Sequence, residues 1–285
     1  MAGIGPADQR PIIECPVATI HLPFDSPLIR ARFVERPNRF LLRVVPEGTD
    51  EIAEAHLPDP GRLRELLVPG AEIWLRSAVS PGRRTRWTAA LVRSPEDSEL
   101  VSLDTTLPNR LVEPALASGD LEEFVSYTLE TREWSHGRSR FDFLLRSQSG
   151  RPLVLEVKSV TLVQGTTALF PDAVTARGAR HVRELAGFAA SGEFEAAILF
   201  VVQRSAAERI HPARAIDPDF SDALHEAKAS GVRVYGRRSR VALTGVTLED
   251  RVPVVLSESG GQEALEEQHG HESERDHGGH FHGPA

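Results

Sequence analysis

The chain has 285 residues, 40% of them hydrophobic and 26% charged, with a net charge of −8. That is enough apolar material for two modest cores, and no apolar run approaches the ~20 residues a membrane-crossing helix needs. Met1 to Gln9 lacks the basic start and apolar stretch of a secretory signal, and Cys15, the single cysteine, has no partner for an internal disulfide, so the composition points to a cytoplasmic protein with no membrane partner.

Residues 1–20 read as an irregular leader punctuated by Pro6, Pro11 and Pro16. From Leu28 short strands are predicted at Ile29 to Phe33, Arg39 to Val45, Ile52 to Leu57, Ala71 to Leu75, Trp87 to Arg93 and Leu100 to Leu103. Pro58-Asp59-Pro60-Gly61 and Val68-Pro69-Gly70 supply turns, and Arg62 to Leu67 leaves room for one or two helical turns. This spacing predicts a small all-β barrel over residues 21–105. Within it, Arg83, Arg84 and Arg86 beside Trp87 suit backbone tracking of a nucleic acid; the segment also reads as a charged hairpin loop, the better reading for Trp87, which then begins a core strand.

Near Pro108-Asn109-Arg110 the period changes. Leu111, Leu116, Leu121, Phe124, Val125 and Leu129 predict one helix or two, broken at Gly119, leading into a hairpin, with Glu123 on the polar face. After the hairpin, Pro171-Asp172 reads as a helix start with Asp172 near the cap. The helix is expected to bury Val174, Val182, Leu185, Ala186 and Ala189, and to carry Arg177, Arg180, His181 and Glu184 on another face. That stripe can contact phosphates, or be an ordinary solvated face. Ala196 to Val202 is apolar at every position and predicts a central strand, followed by a helix over 221–230 and strands at Val232 to Tyr235 and Val241 to Leu243. Residues 106–256 thus form an α/β unit. The remainder, 257–285, holds seven acidic residues against one arginine, so the body of the chain is close to neutral; its five histidines are irregularly spaced, and it reads as a disordered acidic tail.

Only two of the 33 basic residues are lysines, and one, Lys158, stands two residues beyond Glu156, which is itself fourteen residues beyond Asp142: the pattern is Asp142-x13-Glu156-x-Lys158. Alternation places Phe141, Phe143, Leu145, Leu153, Leu155 and Val157 on one face of two strands joined at Ser147 to Gly150, and Asp142, Glu156 and Lys158 on the other. Two carboxylates and an ammonium pointing one way suit Mg2+ or Mn2+, held by one or two carboxylates plus substrate phosphate, with Lys158 orienting water or offsetting charge at a phosphodiester. The same residues also fit a solvated hairpin face with a cross-strand ion cluster.

With these residues in view the chain resembles the sugar fermentation stimulation protein family (SfsA), from about Leu22 to Leu256. The resemblance rests on Arg39-Phe40-Leu41, His56 to Arg62, Leu107 to Leu111, Ser139 to Phe143, Glu156 to Leu162, Phe170 to Thr175, and Arg177-Gly178-x-x-His181-x-Arg183-Glu184-Leu185. It implies an OB-like barrel followed by a PD-(D/E)XK nuclease-like α/β domain, and DNA binding with a link to sugar metabolism. It further implies Asp142 and Glu156 as metal carboxylates, Lys158 as the catalytic lysine, and Glu123 as a third acidic ligand from the first core helix. Asp59 departs from the family pattern, where asparagine is usual. Three functions stay open: a Mg2+-dependent nuclease acting on DNA, a non-catalytic DNA-binding regulator on the same scaffold, and an RNA-processing factor, since OB barrels bind single strands of either sugar.

Overall fold

The computed structural model describes residues 20–78 and 82–256, so the leader, Cys15 and the histidine-rich tail lie outside the described residues. The first strand, β1 (His21–Pro23), does not join the strands that follow it in sequence. It pairs antiparallel with the last strand of the chain, His21 opposite Thr247. Residues 21–23 therefore belong to the second sheet, and the barrel strands begin at Ile29.

The barrel is built from β2 (Ile29–Asn38), β3 (Leu41–Pro46), β4 (Ala53–His56), β5 (Glu72–Ser77), β6 (Trp87–Arg93) and β7 (Leu100–Ser102). They follow the order β4-β3-β2-β5-β6-β7, and a parallel contact between β4 and β6 closes five of them into a ring. Closure needs a strongly bent strand, and β2 supplies it through register shifts between Phe33 and Glu35 and between Glu35 and Asn38. Leu42, Val44, Ala55, Ile73 and Ala89 fill the interior, and Trp87 packs against it half-buried, as expected of a residue that opens a core strand. The Arg62 to Leu67 segment is a turn rather than a helix: the Leu66 and Leu67 amides both donate to Leu63 O, and Leu63 and Leu66 drop into the barrel core.

The second unit runs α1 (Leu107–Ser118), a 3-10 turn (Glu122–Phe124), β8 (Tyr127–His136), β9 (Ser139–Ser147), β10 (Pro152–Val160), β11 (Val163–Gln164), β12 (Thr167–Phe170), α2 (Ala176–Ser191), β13 (Glu195–Val202), β14 (Arg209–Pro212), α3 (Pro218–Ala229), β15 (Arg233–Ala242) and β16 (Gly245–Arg251). Its main sheet has the order β1-β16-β15-β13-β10-β9-β8, with β10, β13 and β15 parallel at the centre. Both faces are covered. Ala196, Ile198, Phe200 and Val202 of β13 pack beneath α2 and α3, and Ala197, Leu199 and Val201 pack beneath α1. This explains why every position from Ala196 to Val202 is apolar.

Two helical expectations are corrected. The helical spacing through Leu129 is interrupted because Gly119 takes a left-handed φ of 78° and ends α1; Leu129 belongs to β8 instead. At α2 the cap is Thr175, whose Oγ1 accepts from Gly178 N at 3.0 Å, so Asp172 lies in the preceding loop and Val174, expected in the core, is 66% exposed.

The barrel is fixed to the α/β unit through Arg204, which is 1% exposed just beyond β13. Its guanidinium pairs with Asp97 and with Glu99, at 3.3 Å, on the β6–β7 turn. Glu99 also accepts from Ser205 Oγ and Ala206 N, each at 3.0 Å. Arg204→Met removes the charge while keeping much of the apolar stem. Because it strands two carboxylates, it is expected to lower stability by about 3 kcal/mol in urea unfolding. An unchanged midpoint would mean that the junction is held by something else.

Candidate metal centre and nucleic-acid cleft

The carboxyl end of β10 and the first turns of α1 and α2 open onto a cleft of about 490 Å³ whose other wall is the barrel. The barrel contributes Arg39, Asp59 and Gly61; the α/β unit contributes Asn109, Arg140, Asp142, Glu156, Lys158, Asp172, Arg177 and His181. A crevice at the carboxyl ends of parallel strands is where α/β sheets place ligands.

Glu156 sits on β10 between Leu155 and Val157, which face α1, so its own side chain faces α2. It is buried, and Oε1 accepts from Lys158 Nζ at 2.5 Å and from His181 Nδ1 at 3.0 Å. Burial pushes its carboxyl up, but Lys158 and His181 together outweigh that and hold it below the usual carboxylate range. Asp142 approaches from β9. Its Oδ1 accepts from Asn109 Nδ2 at 2.7 Å and its Oδ2 from Val157 N at 2.8 Å. Its carboxyl is raised, first by burial and then by the negative charge of Glu156.

The donor set fits a hard divalent cation. Glu156 Oε2 is buried with no hydrogen-bond partner among the described residues, while two carboxylates repel each other across the same site. No group of three or more acidic, histidine or cysteine side chains with metal-holding geometry occurs among the described residues. Asp142 and Glu156 share the site, and Mg2+ is commonly held by one or two carboxylates while waters and phosphate complete its shell.

Asp142, Glu156 and Lys158 are thus brought together as their spacing predicts, with one correction to the alternation. Phe141 packs beneath α2 with Leu144 and Val154, not with Phe143, because the β9–β10 ladder stops at the Phe143–Leu155 pair and the strands part beyond it. Glu123 is also corrected as a third ligand. Its side chain is fully buried in the 3-10 turn, paired with Arg237 at 2.7 Å and Arg251 at 3.4 Å, and it does not line the cleft. The expected stripe on α2 divides. Arg177 reaches the cleft, Arg180 faces solvent 3.7 Å from Glu184, and His181 is buried. Arg83, Arg84 and Arg86 are exposed on the turn before β6, Arg83 donating to Thr88 Oγ1 at 2.6 Å, and none lines the cleft.

The sequence reading missed Asn109, Arg39 and Arg140 as site residues. For Asn109 the available signal is Pro108 beside it, which places both in the first turn of a helix.

The barrel wall is itself organised by one arginine. Arg36 donates to the carbonyls of Gly61 at 2.7 Å, Arg62 at 2.9 Å, Arg39 at 2.8 Å and Asp59 at 3.3 Å, tying the hairpin that carries Arg39 to the loop that carries Asp59. That loop lies so close to the α/β unit that a Cβ on Gly61 would collide with the Asp172 carboxylate.

Residues 34–103 match the family description "SfsA N-terminal OB domain" and residues 106–245 match "Sugar fermentation stimulation protein RE domain". The chain belongs to the sugar fermentation stimulation protein family. Among its relatives, the sugar fermentation stimulation protein homolog of Shouchella clausii is 51% identical over 81% of this chain and 98% of its own length, and that of Moorella thermoacetica 46% identical over 80% and 97%. A solved structure of Pyrococcus furiosus SfsA in complex with Ca2+ is 27% identical and superposes with a TM-score of 0.74, covering 82% of this chain and 98% of that one. The architecture is accordingly an OB barrel followed by the nuclease-like α/β domain of this family. No helix of the described residues is long and apolar enough to cross a membrane.

Asp59 is buried with its Oδ1 accepting from Gly61 N at 2.7 Å. Burial pushes its carboxyl up to about 7, and Asp172 adds to the rise while the Gly61 amide opposes it. A folded-state value above the unfolded one near 3.8 gives stability that is complete below that value and lost as pH rises through about 7. Asp59→Asn keeps the acceptor and removes the charge. It is expected to be more stable than the parent at pH 8, by about 4 kcal/mol at most, with the difference disappearing near pH 4 in urea titrations. A pH-independent difference would contradict a buried, proton-binding Asp59.

Proposed function

We propose that the protein binds DNA without strong sequence preference and cleaves its phosphodiester bonds with a Mg2+ or Mn2+ ion held by Asp142 and Glu156. The observation that carries the reading is the buried Glu156 Oε2, without a hydrogen-bond partner among the described residues, in the same cleft as Asp142 and Lys158. The Ca2+ complex of the Pyrococcus furiosus relative supports a hard divalent ion of the same class.

Phosphate recognition is supported by the surroundings. The first turns of α1 and α2 line the cleft through Asn109 and through Arg177 and Gly178, and helix N-termini favour anions. Arg39 from the barrel and Arg177 from the α/β domain add positive charge on both walls, while Arg140 lies 3.5 Å from Glu133 of the same cleft. Asp142 is held by Asn109 and by the Val157 amide, so its carboxylate is oriented before any ligand arrives. When bound, the cation supplies Lewis acidity toward the scissile phosphate. Lys158 keeps one N–H on Glu156 Oε1 and has two further donors to orient an attacking water or offset charge on the phosphoryl oxygens in the transition state. A DNA substrate accords with the cytoplasmic location expected from the sequence, and DNA binding is the route by which we connect the protein to the sugar metabolism in the family's name.

The test is cleavage of single-stranded, duplex and branched DNA, and of RNA, in Mg2+, Mn2+ and EDTA, alongside binding as a function of salt. We expect metal-dependent DNA cleavage that falls about 100-fold or more in Lys158→Ala while DNA affinity is retained. Arg39→Ala and Arg177→Ala should each lower the slope of log affinity against log salt by ~1, and Arg180→Ala should leave it unchanged. Binding without cleavage on any substrate would favour the non-catalytic regulator, and cleavage confined to RNA the RNA-processing factor.

A further inference from the structure

Lys158 is the Glu156 partner that the sequence announces; the second partner, His181, comes from α2. The imidazole is 3% exposed, and its ring packs against Phe141 with centroids 5.2 Å apart. Its Nδ1 reaches the same Glu156 oxygen, Oε1, that Lys158 Nζ holds. Lys158 Nζ can only donate, so the oxygen it holds accepts, and the imidazole proton facing that oxygen lies on Nδ1. Two donors on one oxygen, one from the strand and one from the helix, fix the rotation of the carboxylate. Oε2 is then the oxygen left without a partner among the described residues.

The position of His181 is determined from the start of α2. Thr175 caps the helix, and its own N–H donates to Asp217 Oδ2 at 2.7 Å. The other oxygen of Asp217 caps α3 by accepting from Phe220 N at 3.0 Å. One buried carboxylate therefore ties the beginnings of both helices together. Gly178, one turn before His181, has no room for a side chain: a Cβ there would stand 2.8 Å from the Thr175 side chain. The helix is thus seated tightly against its cap, with His181 delivered to Glu156 on a rigid element.

We propose that His181 is a positioning residue of the metal centre: it acts through Glu156, holding Oε1 so that Oε2 is presented to the cation, and touches neither the ion nor the phosphate. This rests on the reading that Asp142 and Glu156 hold a divalent ion. A hydrogen-bond partner of a ligating carboxylate is worth roughly 10- to 100-fold in metal affinity. A histidine that merely filled the core would be worth nothing in that measurement.

The experiment is Mn2+ titration of the apo protein without DNA, read by the EPR signal of free Mn2+, for the parent, His181→Asn, His181→Gln and His181→Phe, with thermal unfolding of each in EDTA. Asparagine places its amide N–H near Nδ1 and keeps the donor, glutamine places it near Nε2, and phenylalanine keeps the ring without a donor. We expect the Mn2+ Kd to rise about 10-fold or more in the Phe and Gln variants and to stay near the parent value in Asn, in an order that Tm in EDTA does not follow. If the Phe variant fails to fold, the contrast between Asn and Gln carries the test. Parent-like Mn2+ affinity in both Phe and Gln, or an Asn variant as weak as they are, overturns the role of His181 while leaving the metal site standing. A parent protein that binds no Mn2+ overturns both.

Discussion

An ionised carboxylate buried on the central sheet is the feature on which the site depends. Glu156 occupies a strand whose neighbouring positions, Val154, Leu155 and Val157, are all committed to the core, and a charge there is unfavourable unless it is paired. Lys158 and His181 provide the pairing, and they do so on one oxygen only. What remains is a buried oxygen without a hydrogen-bond partner among the described residues, in the same site as Asp142, whose carboxyl is raised first by burial and then by the negative charge of Glu156. A cation relieves both strains at once: it satisfies the oxygen and screens the carboxylates from each other.

The barrel makes this centre into a cleft with two walls. Arg204, sequestered between the domains, holds the β6–β7 turn against the end of β13, and the near contact of Gly61 with Asp172 closes the seam on the side of the site. Arg36 then presents Arg39 and the Asp59 loop toward the carboxylates. Under the proposed function a nucleic acid entering the cleft would meet both domains together, the barrel lining it through Arg39 of the β2–β3 hairpin and through the Asp59 loop.

The acid-acid-lysine set was legible because it needs only local information: two alternating strands and a four-residue turn place three side chains by parity alone. Parity failed at Phe141, which still pairs with Trp134 of β8 but lies beyond the last β9–β10 pair, Phe143 with Leu155; where that ladder stops is a property of the partner strand. β8 was hidden by a register shift between Leu129 and Thr131 that spoils its alternation, and by a fortuitous helical spacing of Leu121, Phe124 and Leu129. Glu123 could not be placed from sequence because its partners, Arg237 and Arg251, lie more than a hundred residues away. His181 looked like one more polar residue on an arginine-bearing face. Its burial follows from where Asp217 sets α2, and α3 is the source of that carboxylate.

Anomalous diffraction from crystals grown with Mn2+ tests the central claim most directly. The account predicts one strong peak between Asp142 and Glu156, coordinated by Glu156 Oε2 at about 2.1 Å, with Oε1 still bonded to Lys158 and His181. No peak at that position in crystals equilibrated with millimolar Mn2+, or a peak elsewhere on the protein with Oε2 left bare, would contradict it.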